Sequence, residues 1–226
     1  MSAPIIYPVW FYSLDIFFMS VSILVCLIIA FFSQKVFKIT KEKKYLWFGL
    51  AYFLIAGAFI MRILSILIIY MKSQIVEESG YLTISNFGEL GTINNIGYLF
   101  FRIGMLLGFL TLMLVILKIE DNRVINLLIY FVLITTIFSF QAFLVFYVTL
   151  ALILFLIIHQ LWLHYQTSRS KNAAMVITSF VLVLISQLIF LLLGFHNIIY
   201  AVGEVFQLAG FILFFIPYML VLKYGK

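Results

Sequence analysis

The sequence predicts an all-α membrane protein, a bundle of seven transmembrane helices with its N-terminus outside and its C-terminus in the cytoplasm. Hydrophobic residues make up 66% of the 226 residues and charged residues only 10%, with a mean hydropathy of +1.24. Soluble domains contain about a quarter charged residues. Apolar runs recur along the whole chain, and no polar block reaches domain size. Residues 1–226 are therefore expected to form a single transmembrane domain.

The apolar runs define the helices, because a membrane-spanning helix needs about 20 predominantly apolar residues. The first run follows a stretch without Lys or Arg, unlike the basic start of a signal peptide, so this helix is expected to be retained. The expected limits are about 13–33, 45–71, 96–117, 124–140, 142–163, 174–194 and 198–221.

The fourth and fifth helices lie in one nearly unbroken apolar run, residues 124–163, that contains no Gly or Pro. As a single helix this run would be about 60 Å long, roughly twice the thickness of the hydrocarbon layer. The sequence therefore predicts a tight hairpin near Ser139, Phe140 and Gln141.

The distribution of basic residues supports seven helices over six. With six, Arg169 and Lys171 would face away from the first basic loop, whereas seven leave only Lys72 on the outer side. Basic loops face the cytoplasm, so seven helices with the C-terminus inside are preferred. The basic residues on the inner side are then Lys35, Lys38, Lys41, Lys43, Lys44, Lys118, Arg123, Arg169, Lys171, Lys223 and Lys226.

Residues 72–95 form the only long connection, and they contain Glu77, Glu78 and Glu89. Loops of more than about 15 residues are often functional, so this outer loop is either a lid or a solvated connector.

Several classes of function are disfavoured. The single cysteine, Cys26, and three scattered histidines provide no metal-ligand cluster, and no catalytic triad or phosphate-binding loop is present. We expect neither an enzyme nor a cofactor. The net charge of +6 is attributed to the cytoplasmic face of a cell-membrane protein beside anionic lipid, and not to binding of nucleic acid.

Four ionisable residues fall at a similar depth in the outer half of the predicted bundle: Asp15, Arg62, Arg102 and Glu204. Charged side chains within membranes usually face the bundle interior and pair with one another. Gln187 and Gln207 are placed to join them. The group is predicted to be either a site for a small polar or charged solute or a purely structural ion-pair cluster.

Two helices share a sequence pattern. Residues 95–109 align without a gap to residues 197–211, with six of fifteen positions identical and Arg102 opposite Glu204. Arg102 and Glu204 are therefore predicted to pair. The earlier helices match sparsely, at three pairs of residues. These pairs are Thr40 with Thr167, Lys44 with Lys171, and Phe53 with Phe180.

This pattern is similar in arrangement to the SWEET-type sugar facilitators, in which two parallel three-helix repeats flank a linker helix. The resemblance implies a parallel 3+1+3 repeat, although the chain lacks a Pro-Gln motif and no family is assigned. A microbial rhodopsin is excluded, because the only lysines of the last helix, Lys223 and Lys226, lie beyond its inner end.

The function that the sequence favours is a small carrier or facilitator with a polar site in the outer half of the bundle. Two alternatives stay open. One is a membrane sensor or receptor, and the other is a non-catalytic subunit of a membrane complex, with a homo-oligomer or complex partner beside the lipid bilayer.

Overall fold

The structure is a computed structural model in which residues 9–79, 84–141, 143–192 and 197–224 are described. Seven helices are present in this part of the chain, and all seven are long and apolar enough to cross a membrane. The predicted all-helical class and helix number are thus confirmed. The helices are α1 (Val9–Thr40), α2 (Lys43–Ser79), α3 (Ile84–Leu117), α4 (Asn122–Gln141), α5 (Phe143–Ser168), α6 (Lys171–Leu191) and α7 (Asn197–Tyr224).

The prediction of a long outer loop at residues 72–95 is wrong. Helix α2 continues to Ser79 and α3 already begins at Ile84, so this stretch is helical except at residues 80–83, which lie outside the described residues. The stretch contains no proline, and Glu, Gln and Lys are good helix formers that allow a helix to continue into water. Polarity marked the end of the membrane span, but not the end of the helix.

The predicted hairpin within residues 124–163 is confirmed. Helix α4 ends at Gln141 and α5 begins at Phe143, with only residue 142 outside the described part between them. The chain thus reverses without a glycine or proline.

Six of the helices form a closed ring. Following the ring, α1 packs against α2, α2 against α3, α3 against α5, α5 against α6, α6 against α7, and α7 again against α1. Helix α4 packs only against α3 and α5 and therefore lies outside the ring. Its span is 22% buried, compared with at least 39% for each of the others.

The helices α1, α3 and α5 end in the same manner, at one end of the bundle. Each is followed by a basic residue in the left-handed region: Lys41 (φ 58°), Lys118 (φ 55°) and Arg169 (φ 43°). The amides of Lys41 and Arg169 donate to carbonyls four residues earlier, both at 2.8 Å. Such a bond satisfies a helix-terminal carbonyl and stops the helix. The basic residues thus gather at this end.

Glycines bring two pairs of helices into close contact, as the predicted small-residue stripe of α3 implied. A Cβ added to Gly108 of α3 would lie 2.5 Å from Cγ1 of Ile55 in α2, and one added to Gly210 of α7 would lie 2.6 Å from Cγ2 of Val183 in α6. Small residues of this kind allow membrane helices to pack closely without a hydrophobic driving force.

Aromatic side chains fill the interior of the ring below the level of the charged residues. The rings of Phe59 and Phe211 are 5.6 Å apart, those of Tyr52 and Phe214 6.2 Å, and those of Phe180 and Phe214 4.4 Å. Since α2 and α7 are not neighbours in the ring, the first two contacts cross the interior. We call Tyr52, Phe59, Phe180, Phe211 and Phe214 the aromatic layer.

Candidate functional site

Three of the predicted site residues come together at the α1, α2 and α7 side of the ring. Asp15, Arg62 and Glu204 are each only 5% exposed. Oδ2 of Asp15 lies 3.9 Å from Nη2 of Arg62, which forms an ion pair. Because an unpaired charge at this depth costs about 2.5 kcal/mol or more, a partner on a neighbouring helix is expected.

The side chain that joins these residues is Tyr200, one turn before Glu204 on α7. Its hydroxyl donates to Oδ1 of Asp15 at 3.1 Å and accepts a hydrogen bond from Nη2 of Arg62. It also makes a side-chain hydrogen bond with the Glu204 carboxyl. Asp15, Arg62, Tyr200 and Glu204 are called the Arg62 centre below.

Aromatic rings surround the guanidinium group of Arg62. Its Cζ atom lies 4.6 Å from the ring centroid of Tyr98, 5.0 Å from that of Phe101 and 5.7 Å from that of Tyr200. Cations are attracted to the faces of such rings, and more strongly where water is excluded. These rings therefore help to hold the arginine in the interior.

Arg102 lies next to this centre but has a different partner. Its Nη1 donates to the carbonyl oxygen of Ser139 at 2.5 Å and is 3.4 Å from the Ser139 hydroxyl. Ser139 is in the last turn of α4, where carbonyls lack partners within the helix. A cation is favourable at a helix C-terminus. Arg102 thus caps α4 and stabilises the hairpin to α5.

The predicted ion pair between Arg102 and Glu204 is wrong. No salt bridge joins them, although both residues lie in the described part of the chain. Helix α3 does not pack against α7, and Arg102 faces α4 and α5, where its Cζ is 6.0 Å from the Phe146 ring. The alignment correctly indicated corresponding positions in two helices, but corresponding positions need not be adjacent.

The charges of the site are unevenly distributed. The Arg62 centre contains two carboxyl groups and one guanidinium group, whereas Arg102 has no carboxylate partner among the described residues. The ring of Tyr98 lies between the two regions, with Cζ of Arg102 5.7 Å and Cζ of Arg62 4.6 Å from its centroid. An acidic region and a basic region are therefore separated by about one aromatic ring.

Gln187 and Gln207 form a separate polar pair beside this site. Nε2 of Gln187 donates to Oε1 of Gln207 at 3.2 Å and to the hydroxyl of Ser186 at 3.0 Å. Both glutamines are buried. Their hydrogen bonds join α6 to α7, and none of those described connects them to the charged residues.

Sequence reasoning missed the tyrosines and Ser139. Tyr98 and Tyr200 occupy the same position in the aligned segments 95–109 and 197–211, and this identity was the available signal. A third tyrosine, Tyr147 of α5, stacks on Phe190 at 5.4 Å between ring centroids. Tyrosine is common at membrane interfaces, so composition alone did not mark these residues as part of a site.

At the opposite end of the bundle, a groove of about 470 Å³ lies at the end of α5. It is lined by Trp162, Tyr165, Gln166 and Arg169. Trp and Tyr are typical of the interface between lipid and water. The groove is thus a feature of the membrane surface, separate from the buried charges.

The fold and the site together define a class: an all-helical protein with seven helices that can span a membrane and a buried group of charged residues. When the chain is compared with protein-family models, curated proteins and solved structures, no match is found.

Proposed function

We propose that the protein is a small carrier or facilitator of the cell membrane, built from two parallel three-helix halves. The first half is α1 to α3, the second is α5 to α7, and α4 links them. The observation that carries the proposal is a buried charged centre built from both halves. Asp15 and Arg62 come from the first half, and Tyr200 and Glu204 from the second. Transporters built from repeats bind their substrates at such an interface.

The junctions between helices support two matched halves. Helix α2 begins at Lys43 and α6 begins at Lys171, 128 residues later. The left-handed residues that end the preceding helices, Lys41 and Arg169, are also 128 residues apart. The three sequence pairs represented by Thr40 with Thr167 are 127 apart, so the junctions favour a register shifted by one residue.

Burial supports the same register. Each of the seven buried residues of α6 has a buried counterpart in α2, 128 positions earlier. A helix that was merely apolar would not match another at every buried position. The pairs are Gly49 with Ile177, Ala51 with Ser179, Tyr52 with Phe180, Ile55 with Val183, Ala58 with Ser186, Phe59 with Gln187, and Arg62 with Phe190.

The contacts between helices support it independently. A Cβ added to Gly108 would meet Ile55 and the Ala51 carbonyl, whereas one added to its aligned residue Gly210 would meet Val183 and the Ser179 carbonyl. The second set follows from the first by the same shift of 128. Helix α3 therefore packs on α2 as α7 packs on α6.

The orientation proposed is N-terminus outside and C-terminus in the cytoplasm. Lys41, Lys118 and Arg169 end helices at one end of the bundle, and Lys43 and Lys171 begin helices there. Such a basic end is expected to face the cytoplasm. A C-terminal reporter that is active only outside the cytoplasm should be silent, and an active reporter would refute this orientation.

In the proposed cycle, the aromatic layer closes the path from the charged centre to the cytoplasm. The contacts of Phe59 with Phe211 and of Tyr52 with Phe214 join the first half to the second. Movement of one half relative to the other would separate these rings and open the inner side. Rocking of two repeats around a fixed site is the usual form of alternating access.

The test is uptake into proteoliposomes that contain the purified protein, using a panel of labelled polar metabolites. We expect at least one solute to enter faster than it enters empty vesicles, and Glu204→Gln to reduce that rate at least tenfold. The matched control is Gln207→Glu-free background substitution Thr178→Ala, at an exposed residue of α6. If no solute enters faster than in empty vesicles, the carrier proposal fails. Binding without uptake would favour a sensor.

A further inference from the structure

From the charges of this site we infer the class of ligand: a small zwitterion, with one cationic and one anionic group, held between Glu204 and Arg102. The inference rests on the proposed function, since it assigns a ligand to the same site. It concerns binding, however, and can be tested apart from transport.

The acidic end is the Arg62 centre. The single guanidinium group of Arg62 faces two carboxyl groups, and it forms its ion pair with Asp15. Glu204 has no ion pair in the described part of the chain, and its hydrogen bond goes to the Tyr200 hydroxyl. An ammonium group of a ligand would supply the positive charge that the protein does not provide there.

The basic end is Arg102. Only its Nη1 is engaged, by Ser139, and its other nitrogens donate no hydrogen bond to the described residues. The side chain is half-buried and has no carboxylate partner there. A planar guanidinium group with unused donors is well suited to bind a carboxylate with two parallel hydrogen bonds. A ligand carboxylate would thus complete the partners of Arg102.

A separate observation also indicates a missing hydrogen-bond acceptor. Nε of Arg62 is buried and has no hydrogen-bond partner among the described residues. Buried polar atoms nearly always have one, and an exception calls for an explanation such as a bound group. This atom belongs to the side chain that lies between Glu204 and the ring of Tyr98.

The aromatic surroundings fit the same ligand. Tyr98 lies beside both guanidinium groups, and Phe101 and Tyr200 lie within 6 Å of Arg62. Rings of this kind also attract an ammonium group. A ligand with one charge would complete one end and leave the other without a partner, whereas a zwitterion completes both.

The experiment measures thermal unfolding of the full chain in detergent with a series of probes. The zwitterions are glycine, β-alanine, 4-aminobutyrate, 5-aminopentanoate, alanine and glycine betaine, and the single-charge controls are butylamine and butyrate. We expect at least one zwitterion at millimolar concentration to raise Tm by several degrees. Butylamine and butyrate should not.

Two variants identify the two ends. Glu204→Gln should weaken the apparent affinity for the stabilising zwitterion at least tenfold, and Arg102→Lys, which retains the charge that caps α4, should weaken it less. If Arg102→Lys does not fold, Glu204→Gln alone decides the acidic end.

Three results would overturn the inference: no zwitterion raises Tm, butylamine or butyrate raises it equally, or Glu204→Gln binds as well as the natural chain. Uptake of a singly charged solute would leave the carrier proposal standing while the zwitterion is rejected. Binding of a zwitterion without uptake would have the opposite meaning.

Discussion

The helix pairs α2–α3 and α6–α7 have the same packing but different contents. In the first pair, Arg62 lies beside the ring of Phe101, 5.0 Å from its centroid. In the second pair, the corresponding residues are Phe190 and Gly203, and a Cβ added to Gly203 would lie 2.4 Å from the Phe190 ring. A long cation beside a ring has thus been exchanged for a ring beside a glycine. Packing of these helices therefore does not require a charge.

This difference indicates why the charged residues deserve a functional reading. The α6–α7 pair fills its interior with Phe190, Tyr147 and Tyr200, whose rings stack at 5.4 Å and 5.5 Å. The α2–α3 pair instead buries an arginine that needs partners on α1 and α7. Buried ion pairs are often no more stabilising than apolar residues of similar volume. The arginine is then best explained by a role beyond stability.

The largest effect is expected from removing the charge that distinguishes the first pair. Arg62→Gln should lower the free energy of unfolding by roughly 3 to 5 kcal/mol, because it leaves buried carboxylates without a counter-charge. Denaturation in detergent would measure this. Adding Asp15→Asn to Arg62→Gln should restore part of the stability, and a strictly additive loss would show that the two residues do not interact.

The next effect tests whether the two pairs share their packing. Gly108→Ala and Gly210→Ala should each destabilise the protein by about 1 to 3 kcal/mol, because the added Cβ overlaps a neighbouring helix. The matched control is Gly57→Ala, where an added Cβ meets nothing within 4 Å. Thermal unfolding of the three variants provides the comparison. A large loss in only one of the two interface variants would break the equivalence of the halves.

A smaller effect concerns the linker helix, which belongs to neither half. Arg102→Gln should destabilise the protein by about 1 to 3 kcal/mol, since it removes a charged hydrogen bond to the end of α4. Hydrogen exchange should increase at the hairpin between α4 and α5. Ser139→Ala is the milder control, because the carbonyl that accepts this bond is retained. Increased exchange spread evenly over all helices would contradict a local capping role.

The sequence was sufficient for the features that depend on position along a helix. Seven apolar runs and the length of residues 124–163 predicted the helices and the hairpin. It was not sufficient for the direction that each helix faces, which the neighbours decide. Arg102 and Glu204 occupy corresponding positions, yet α3 and α7 are not neighbours. The loop at residues 72–95 failed for another reason, since polar residues end a membrane span without ending a helix.

The measurement that tests the central claim most directly compares Asp15→Asn with Glu204→Gln by thermal and chemical unfolding in detergent. The claim is that the Arg62 centre contains one acid more than folding requires. Asp15 forms the ion pair with Arg62 at 3.9 Å, so Asp15→Asn should cost roughly 3 kcal/mol or more. Glu204→Gln should leave the free energy of unfolding within about 1 kcal/mol of the natural chain, or raise it. A loss for Glu204→Gln as large as that for Asp15→Asn would contradict the claim, because Glu204 would then be a structural partner of Arg62.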